Sequence, residues 1–289
     1  MKGIITALIT PFHEDGTINE KGLKEIVRYN IDTMKVNGLY VGGSTSESFL
    51  MDEKQKQQLF ALVKKEAGET VPLIAQIGSL HVEEAVRLGN EAKQLGYDAL
   101  SAITPYYYKF SFQEIKAYYQ RLTEETNHPM IIYSNPAFTG AQFSVDDYGE
   151  LLAFPNVIGV KYTDTDLAKL AKLKQMHPDK IFFSGADEML FPFAVSGADG
   201  AIGSTYNLIG KEAIQLYEAI QASDLKTARD VQSQMNQVID YLLDVGVYQG
   251  IKHVFKQKGL DAGFMKFPFR ELTEEEKKNV EKILGIIEK

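Results

Sequence analysis

Eight short apolar runs, each followed by a segment of helical periodicity, constrain this chain more than any other feature. The runs fall at residues 3–10, 39–42, 71–76, 99–103, 130–133, 157–161, 181–184 and 200–203. Between them apolar residues recur at helical spacing, as in Leu59, Leu62 and Val63, or Leu167, Leu170 and Leu173. Turn signals such as Asn37-Gly38 and His177-Pro178-Asp179 separate the units. Strands that are apolar along most of their length, alternating with helices, predict a parallel sheet covered by helices. Eight units are the number that closes a (β/α)8 TIM barrel. The rival is an open doubly wound sheet, which usually shows a glycine-rich phosphate turn after its first strand. Here that turn reads Thr10-Pro11-Phe12-His13-Glu14-Asp15-Gly16 and is nothing of the kind. Helical patterns near 208–221, 225–244, 249–259 and 273–287 follow the eighth run. They divide the chain into a barrel over 1–222 and a helical C-terminal extension over 223–289, packed on the barrel.

Composition narrows the partners. The formal net charge of −8 argues against affinity for nucleic acid or an anionic membrane surface. It leaves room for one small anionic substrate, because a few oriented N–H groups can bind a carboxylate inside an acidic protein. The sequence has no Cys, which excludes disulfides and thiolate chemistry and is compatible with a cytoplasmic protein. Lys2 followed by residues 3–10 imitates a signal peptide, but the apolar run is short and Pro11 ends it. It reads as the first barrel strand. No apolar run reaches the ~18 residues of a membrane span.

In a barrel of this kind the active site lies at the C-terminal ends of the strands, so only the residues that follow each run are candidates. Run two leads into Gly42-Gly43-Ser44-Thr45, run five ends at Tyr133, and run six ends at Lys161 and continues to Thr163. Run seven leads into Gly185 and Asp187-Glu188, and run eight into Ser204. Lys161 is the sharpest of these. An amine that ends an apolar strand is held away from water, and the neutral amine is the form that attacks a ketone. The plainer alternative is a strand-end lysine that reaches solvent. Tyr133, on the neighbouring strand, can move protons to and from a substrate, or be a half-buried aromatic at the barrel mouth. The Gly42–Thr45 turn can take a carboxylate on its hydroxyls and N–H groups, or be an ordinary turn. Asp187 and Glu188 can accept hydrogen bonds from sugar hydroxyls, bind a metal or cap the next helix. The run Tyr106-Tyr107-Tyr108 is either core or a subunit contact. The five histidines show no ligand spacing, which leaves an all-carboxylate Mg²⁺ site as the metal alternative.

Taken together, Gly43-Ser44-Thr45-x-Glu47, Tyr133-x-x-Pro136, Gly159-Val160-Lys161-x-Thr163, Gly185-x-Asp187-Glu188 and Gly203-Ser204-Thr205-Tyr206-Asn207 are highly specific. The chain resembles the N-acetylneuraminate lyases, within the dihydrodipicolinate synthase superfamily, over nearly its whole length. The resemblance implies that Lys161 forms a Schiff base with the substrate, that Tyr133 handles protons, and that Ser44 and Thr45 take the pyruvate carboxylate. It assigns Thr163, Gly185, Asp187, Glu188 and Ser204 to the hydroxylated tail of the sugar. It makes Tyr107 a residue that reaches a neighbouring subunit's site in a homotetramer. It implies no cofactor and no metal, and small-molecule partners only: sialic acid, pyruvate and N-acetylmannosamine. Dihydrodipicolinate synthases carry an Arg just after the Tyr-x-x-Pro segment, whereas Ala137-Phe138-Thr139 follows Pro136 here. Ser46 stands where the family usually has Gly, which is expected to add a side chain beside the carboxylate pocket.

The activity expected is reversible cleavage of N-acetylneuraminate. The alternatives are a class I aldolase of the same superfamily acting on another 2-keto acid, a barrel that binds a sugar acid without turnover, and a metal-dependent aldolase.

Overall fold

The computed structural model of the protein describes residues 1–287. Its centre is a closed barrel of eight parallel strands in sequence order. They are β1 (Gly3–Ala7), β2 (Gly38–Val41), β3 (Leu73–Gln76), β4 (Ala99–Ile103), β5 (Met130–Ser134), β6 (Val157–Tyr162), β7 (Ile181–Ser184) and β8 (Gly200–Gly203). The expected (β/α)8 architecture is therefore the observed one, and β8 closes on β1 through the pair Ile5 and Ile202. The first strand ends earlier than its apolar run suggests. After Leu8 the chain leaves the barrel, and Phe12 makes antiparallel bridges to Ile18 and Phe264 instead.

Around the barrel run α1 (Glu20–Arg28), α2 (Glu53–Ala67), α3 (Val82–Leu95), α4 (Phe112–Thr126), the single turn α5 (Pro136–Thr139), α6 (Val145–Leu152), α7 (Leu167–Met176), α8 (Leu190–Val195) and α9 (Tyr206–Gln221). Local chemistry starts and stops them. Asp52 accepts the Gln55 N–H at the head of α2, and Ser111 with Glu114 forms a capping box on α4, as Ser144 with Asp147 does on α6. Gly96, in the left-handed conformation, ends α3.

Strand alternation sorts the side chains into two cores. Ile5, Ala7, Tyr40, Ile74, Ile131, Phe183 and Ile202 fill the barrel interior. Their neighbours, among them Ile4, Ile132, Val160 and Ala201, face the helices and join the larger outer core. The same alternation turns Lys161 inward, two residues after Gly159, while Val160 and Tyr162 face the helices.

Four further helices follow: α10 (Leu225–Val245), α11 (Val247–Gln257), α12 (Glu274–Val280) and α13 (Leu284–Ile287). The long α10 packs along α9 and over the loop that follows β7, and α11 carries the chain back across the mouth of the barrel. Among the described residues no helix is long and apolar enough to cross a membrane.

Candidate active site

A cavity of about 420 Å³ opens at the C-terminal end of the barrel. Its floor is made by Lys161, Tyr133 and Tyr40. Lys161 pairs with Tyr133 across β5 and β6, and Tyr133 with Ile103 across β4 and β5. The Lys161 Nζ sits 4.2 Å from the centroid of the Tyr133 ring and 4.7 Å from that of Tyr40. Lys161 is only 6% exposed, and among the described residues no carboxylate forms an ion pair with it. The strand-end lysine thus points into the cavity between two aromatic rings and does not reach out to solvent.

Tyr133 is held as firmly. Its hydroxyl accepts a hydrogen bond from Asn135 Nδ2 at 3.2 Å. Asn135 is at the same time the N-cap of α5, where its Oδ1 accepts the Phe138 N–H, and Pro136 supplies the first helical residue. The dipeptide Asn135-Pro136 therefore builds a short helix whose cap orients the phenol. Tyr40, which completes the floor, donates to Ser101 at 3.1 Å, and burial pushes its phenol well above the ordinary range.

One wall is the turn after β2. Gly42 turns the chain with φ 76, and Ser44–Ser46 form a 3-10 turn. The first N–H groups of such a turn have no acceptor within it. Ser44 and Thr45 line the cavity, and the Thr45 hydroxyl shares a 2.7 Å hydrogen bond with the Ser204 hydroxyl from the β8 loop. Ser204 is thus joined to the β2 turn and not to the loop after β7. The expectation for Ser46 needs correction. Its hydroxyl donates to the Leu8 carbonyl at 2.7 Å and accepts the Gly42 N–H at 3.3 Å, so the side chain is buried against the end of β1 and does not line the cavity.

The opposite wall is polar. Asp187 begins the 3-10 turn Asp187–Met189, but its side chain does not cap it. Its Oδ2 accepts the Thr205 N–H at 2.9 Å and the Thr205 hydroxyl at 2.7 Å, while Oδ1 is buried without a protein partner. Burial raises the Asp187 carboxyl above its ordinary value, against the Thr205 hydrogen bonds that favour the charged form. The Thr163 hydroxyl is likewise buried without a protein partner. Gly185 and Gly203 keep this wall open: a Cβ on Gly185 would overlap Thr163 Oγ1, and one on Gly203 would overlap the Asp187 carboxyl. Glu188 stands beside them at the cavity edge.

The cavity gathers Ser44, Thr45, Tyr133, Lys161, Thr163, Gly185, Asp187, Glu188 and Ser204, nine residues singled out from the sequence. Tyr107 is not among them. It projects from the loop after β4, 84% exposed and with φ 75, next to the equally peripheral Tyr108, so neither belongs to a core. Other cavity-lining residues were not singled out from the sequence. Tyr40 lies inside run two, before its end, and Asn135 follows run five with no charge or nucleophile to mark it. Tyr248 and Gln249 of α11 and Leu243 of α10 line the cavity from the C-terminal extension, which no rule about strand ends reaches. Among the described residues no three His, Asp or Glu side chains converge as metal ligands would.

A closed barrel with an inward lysine at the end of β6, facing a tyrosine at the end of β5, defines a TIM-barrel enzyme built around a buried amine. The model of the dihydrodipicolinate synthetase family matches residues 1–287, and the chain belongs to that family. It is 48% identical to the N-acetylneuraminate lyase of Fusobacterium nucleatum over 276 residues, 96% of this chain and 95% of that one. Its fold is similar to that of CdNal from Clostridium difficile in complex with mannosamine, with a TM-score of 0.97 and 44% identity over 99% of each chain. It is also similar to N-acetylneuraminate lyase from Fusobacterium nucleatum complexed with pyruvate, with a TM-score of 0.96 and 46% identity over 100% of this chain and 98% of that one.

Proposed function

We propose that this protein is a lyase that cleaves N-acetylneuraminate to N-acetylmannosamine and pyruvate, reversibly, through a Schiff base on Lys161. The observation that carries the reading is the Lys161 amine, buried in the cavity floor 4.2 Å from the Tyr133 ring and faced by the Ser44–Thr45 turn. The near-full-length similarity to N-acetylneuraminate lyases supports the same substrate.

The chemistry follows from these groups. Ser44 and Thr45 hold the carboxylate of the open-chain 2-keto acid by hydroxyl and N–H donors. Lys161 Nζ attacks the adjacent ketone carbon, and loss of water leaves an iminium. Tyr133 takes the proton of the C4 hydroxyl as the C3–C4 bond breaks, and the bonding pair moves into the iminium to give an enamine. The iminium is the electron sink, so the step calls for no cofactor. Positioned acid–base help of the kind Tyr133 gives is worth about 10²–10⁴-fold. The enamine takes a proton at C3, water releases pyruvate, and Lys161 is regenerated. Thr163, Gly185, Asp187 and Glu188 meet the hydroxylated tail, and the unpartnered Thr163 Oγ1 and Asp187 Oδ1 suit that role. Ser204, hydrogen-bonded to Thr45, couples the carboxylate turn to β8.

The same reading makes the protein a homotetramer in which Tyr107 reaches a neighbouring subunit. Its support is the exposure of Tyr107 and an apolar cavity of about 440 Å³, lined by Phe49, Leu50, Tyr106 and Phe269, beside the site.

The test is direct. Borohydride added with pyruvate should leave a stable adduct on the peptide that contains Lys161, and Lys161→Ala should release no pyruvate from N-acetylneuraminate. A wild-type mass spectrum with no adduct, or with one on another lysine, would overturn the reading.

A further inference from the structure

Glu47 closes the turn that carries Ser44 and Thr45, and no step of the chemistry uses it. Its backbone is left-handed, φ 57 and ψ 28, a conformation uncommon for a residue with a side chain. Its N–H donates to the Ser44 carbonyl at 2.9 Å and so fixes the turn from within. The partners of its carboxylate all come from the C-terminal extension. Lys252 Nζ, on α11, donates to Oε1 at 2.6 Å and also to the Phe264 carbonyl at 2.7 Å. The Lys266 N–H donates to Oε2 at 2.7 Å. The ion pair is shut off from solvent, with the two side chains 3% and 0% exposed.

Stability alone does not account for such a pair, since well-packed apolar residues often serve as well or better. What an ion pair adds is a fixed geometry. The two carboxylate oxygens tie the β2 turn to two separate segments of the extension, and on the other side Ser46 ties it to Leu8. The turn cannot move relative to Lys161 without breaking one of these links.

We propose that Glu47 and Lys252 are positioning residues: they hold Ser44 and Thr45 where the carboxylate of a 2-keto acid bonded to Lys161 falls, so that the C-terminal extension sets affinity for the pyruvate half of the substrate. Neither touches the reacting atoms. The proposal rests on the reading of Ser44 and Thr45 as the carboxylate cradle and of Lys161 as the Schiff-base amine.

Borohydride trapping with two ketones tests it. Pyruvate carries the carboxylate and hydroxyacetone does not. Wild type, Glu47→Gln and Lys252→Met are titrated with each, with circular dichroism to monitor folding. If Lys252→Met alone fails to fold, the double variant, which leaves no lone buried charge, replaces it. The half-saturating pyruvate concentration should rise by about 10- to 100-fold, the scale of a small misplacement in an oriented site. Trapping by hydroxyacetone should stay at the wild-type rate. Unchanged pyruvate saturation in folded variants would overturn the proposal, and so would an equal loss with both ketones. No adduct in the wild type would refute the Schiff-base reading itself, and this proposal with it.

Discussion

Gly203→Ala probes the wall proposed to meet the sugar hydroxyls without replacing any of the polar side chains assigned to the substrate. The new methyl would overlap the Asp187 carboxyl, which is buried beside it. The carboxylate must give up its place and with it the Thr205 N–H and hydroxyl bonds of 2.9 and 2.7 Å. Hydrogen bonds to a charged group are worth about 1.5–3 kcal/mol each, so the loss is roughly 3–6 kcal/mol of folding stability. At about 2.1 cal/mol/K per residue, a chain of 289 residues has an unfolding entropy near 0.6 kcal/mol/K, which converts that loss to a drop in Tm of roughly 5–10 °C. A displaced Asp187 also loses the bond to a sugar hydroxyl proposed for it, which should lower kcat/KM for N-acetylneuraminate by about 10- to 100-fold. Borohydride trapping of pyruvate should be spared, because Lys161 and Tyr133 lie on other strands and Ser44 in the turn after β2. Thr205→Val keeps the backbone donor and loses only the hydroxyl, and should give about half the stability change. Calorimetry and steady-state kinetics on both variants are the assays. A Gly203→Ala enzyme with wild-type Tm and wild-type kcat/KM for the sugar acid would refute the argument. Equal damage to pyruvate trapping would show that the overlap spreads beyond Asp187.

Two further outcomes are expected. The Arg270 guanidinium and the Thr273 N–H hold the Glu276 carboxyl down at about 2 against an ordinary 4.5, so its contribution to stability is fully present above pH 4.5 and is lost as pH falls through 2; Tm of Glu276→Gln should fall below wild type at pH 6 and converge with it near pH 2. Tyr107→Ala should shift the proposed homotetramer toward smaller species in sedimentation velocity at low protein concentration, and an unchanged distribution would separate Tyr107 from assembly.

The barrel was legible because its two periodicities are written into the chain. Continuous apolar runs and helical spacing are consequences of burying a parallel sheet under helices, and eight of them leave few topologies. The gathering of the strand-end residues in one cavity was legible for the same reason. Alternation along β6 fixes which way Lys161 faces once the strand is known, and the pairing with Tyr133 follows from adjacency. What escaped depends on contacts between distant segments. Whether Ser46 would crowd the turn after β2 or staple it to β1 depends on the path of residues 8–12, where the chain leaves the barrel earlier than its apolar run suggests. Tyr40 reads as one more apolar strand residue until the Lys161 amine is seen over its ring.

The C-terminal extension is the clearest case. A helical pattern tells which face of α10 or α11 is apolar, and says nothing of where that face docks. The docking here is specified by buried polar groups. Lys252 reaches Glu47 across 205 positions, and Gln232 of α10 donates to the Asp187 carbonyl at 3.2 Å and accepts the Phe191 N–H at 2.7 Å. A buried polar group left unpaired is costly, so each of these bonds favours one docked position over its neighbours. The two rim loops they grip are the ones assigned to opposite ends of the substrate: the β2 turn to the carboxylate, the β7 loop to the hydroxylated tail. Both ends of the site are therefore registered to α10 and α11 as well as to the barrel. Substitutions at Gln232 or Lys252, which line no part of the main cavity, should alter affinity for one end of the substrate and leave the Lys161–Tyr133 geometry intact.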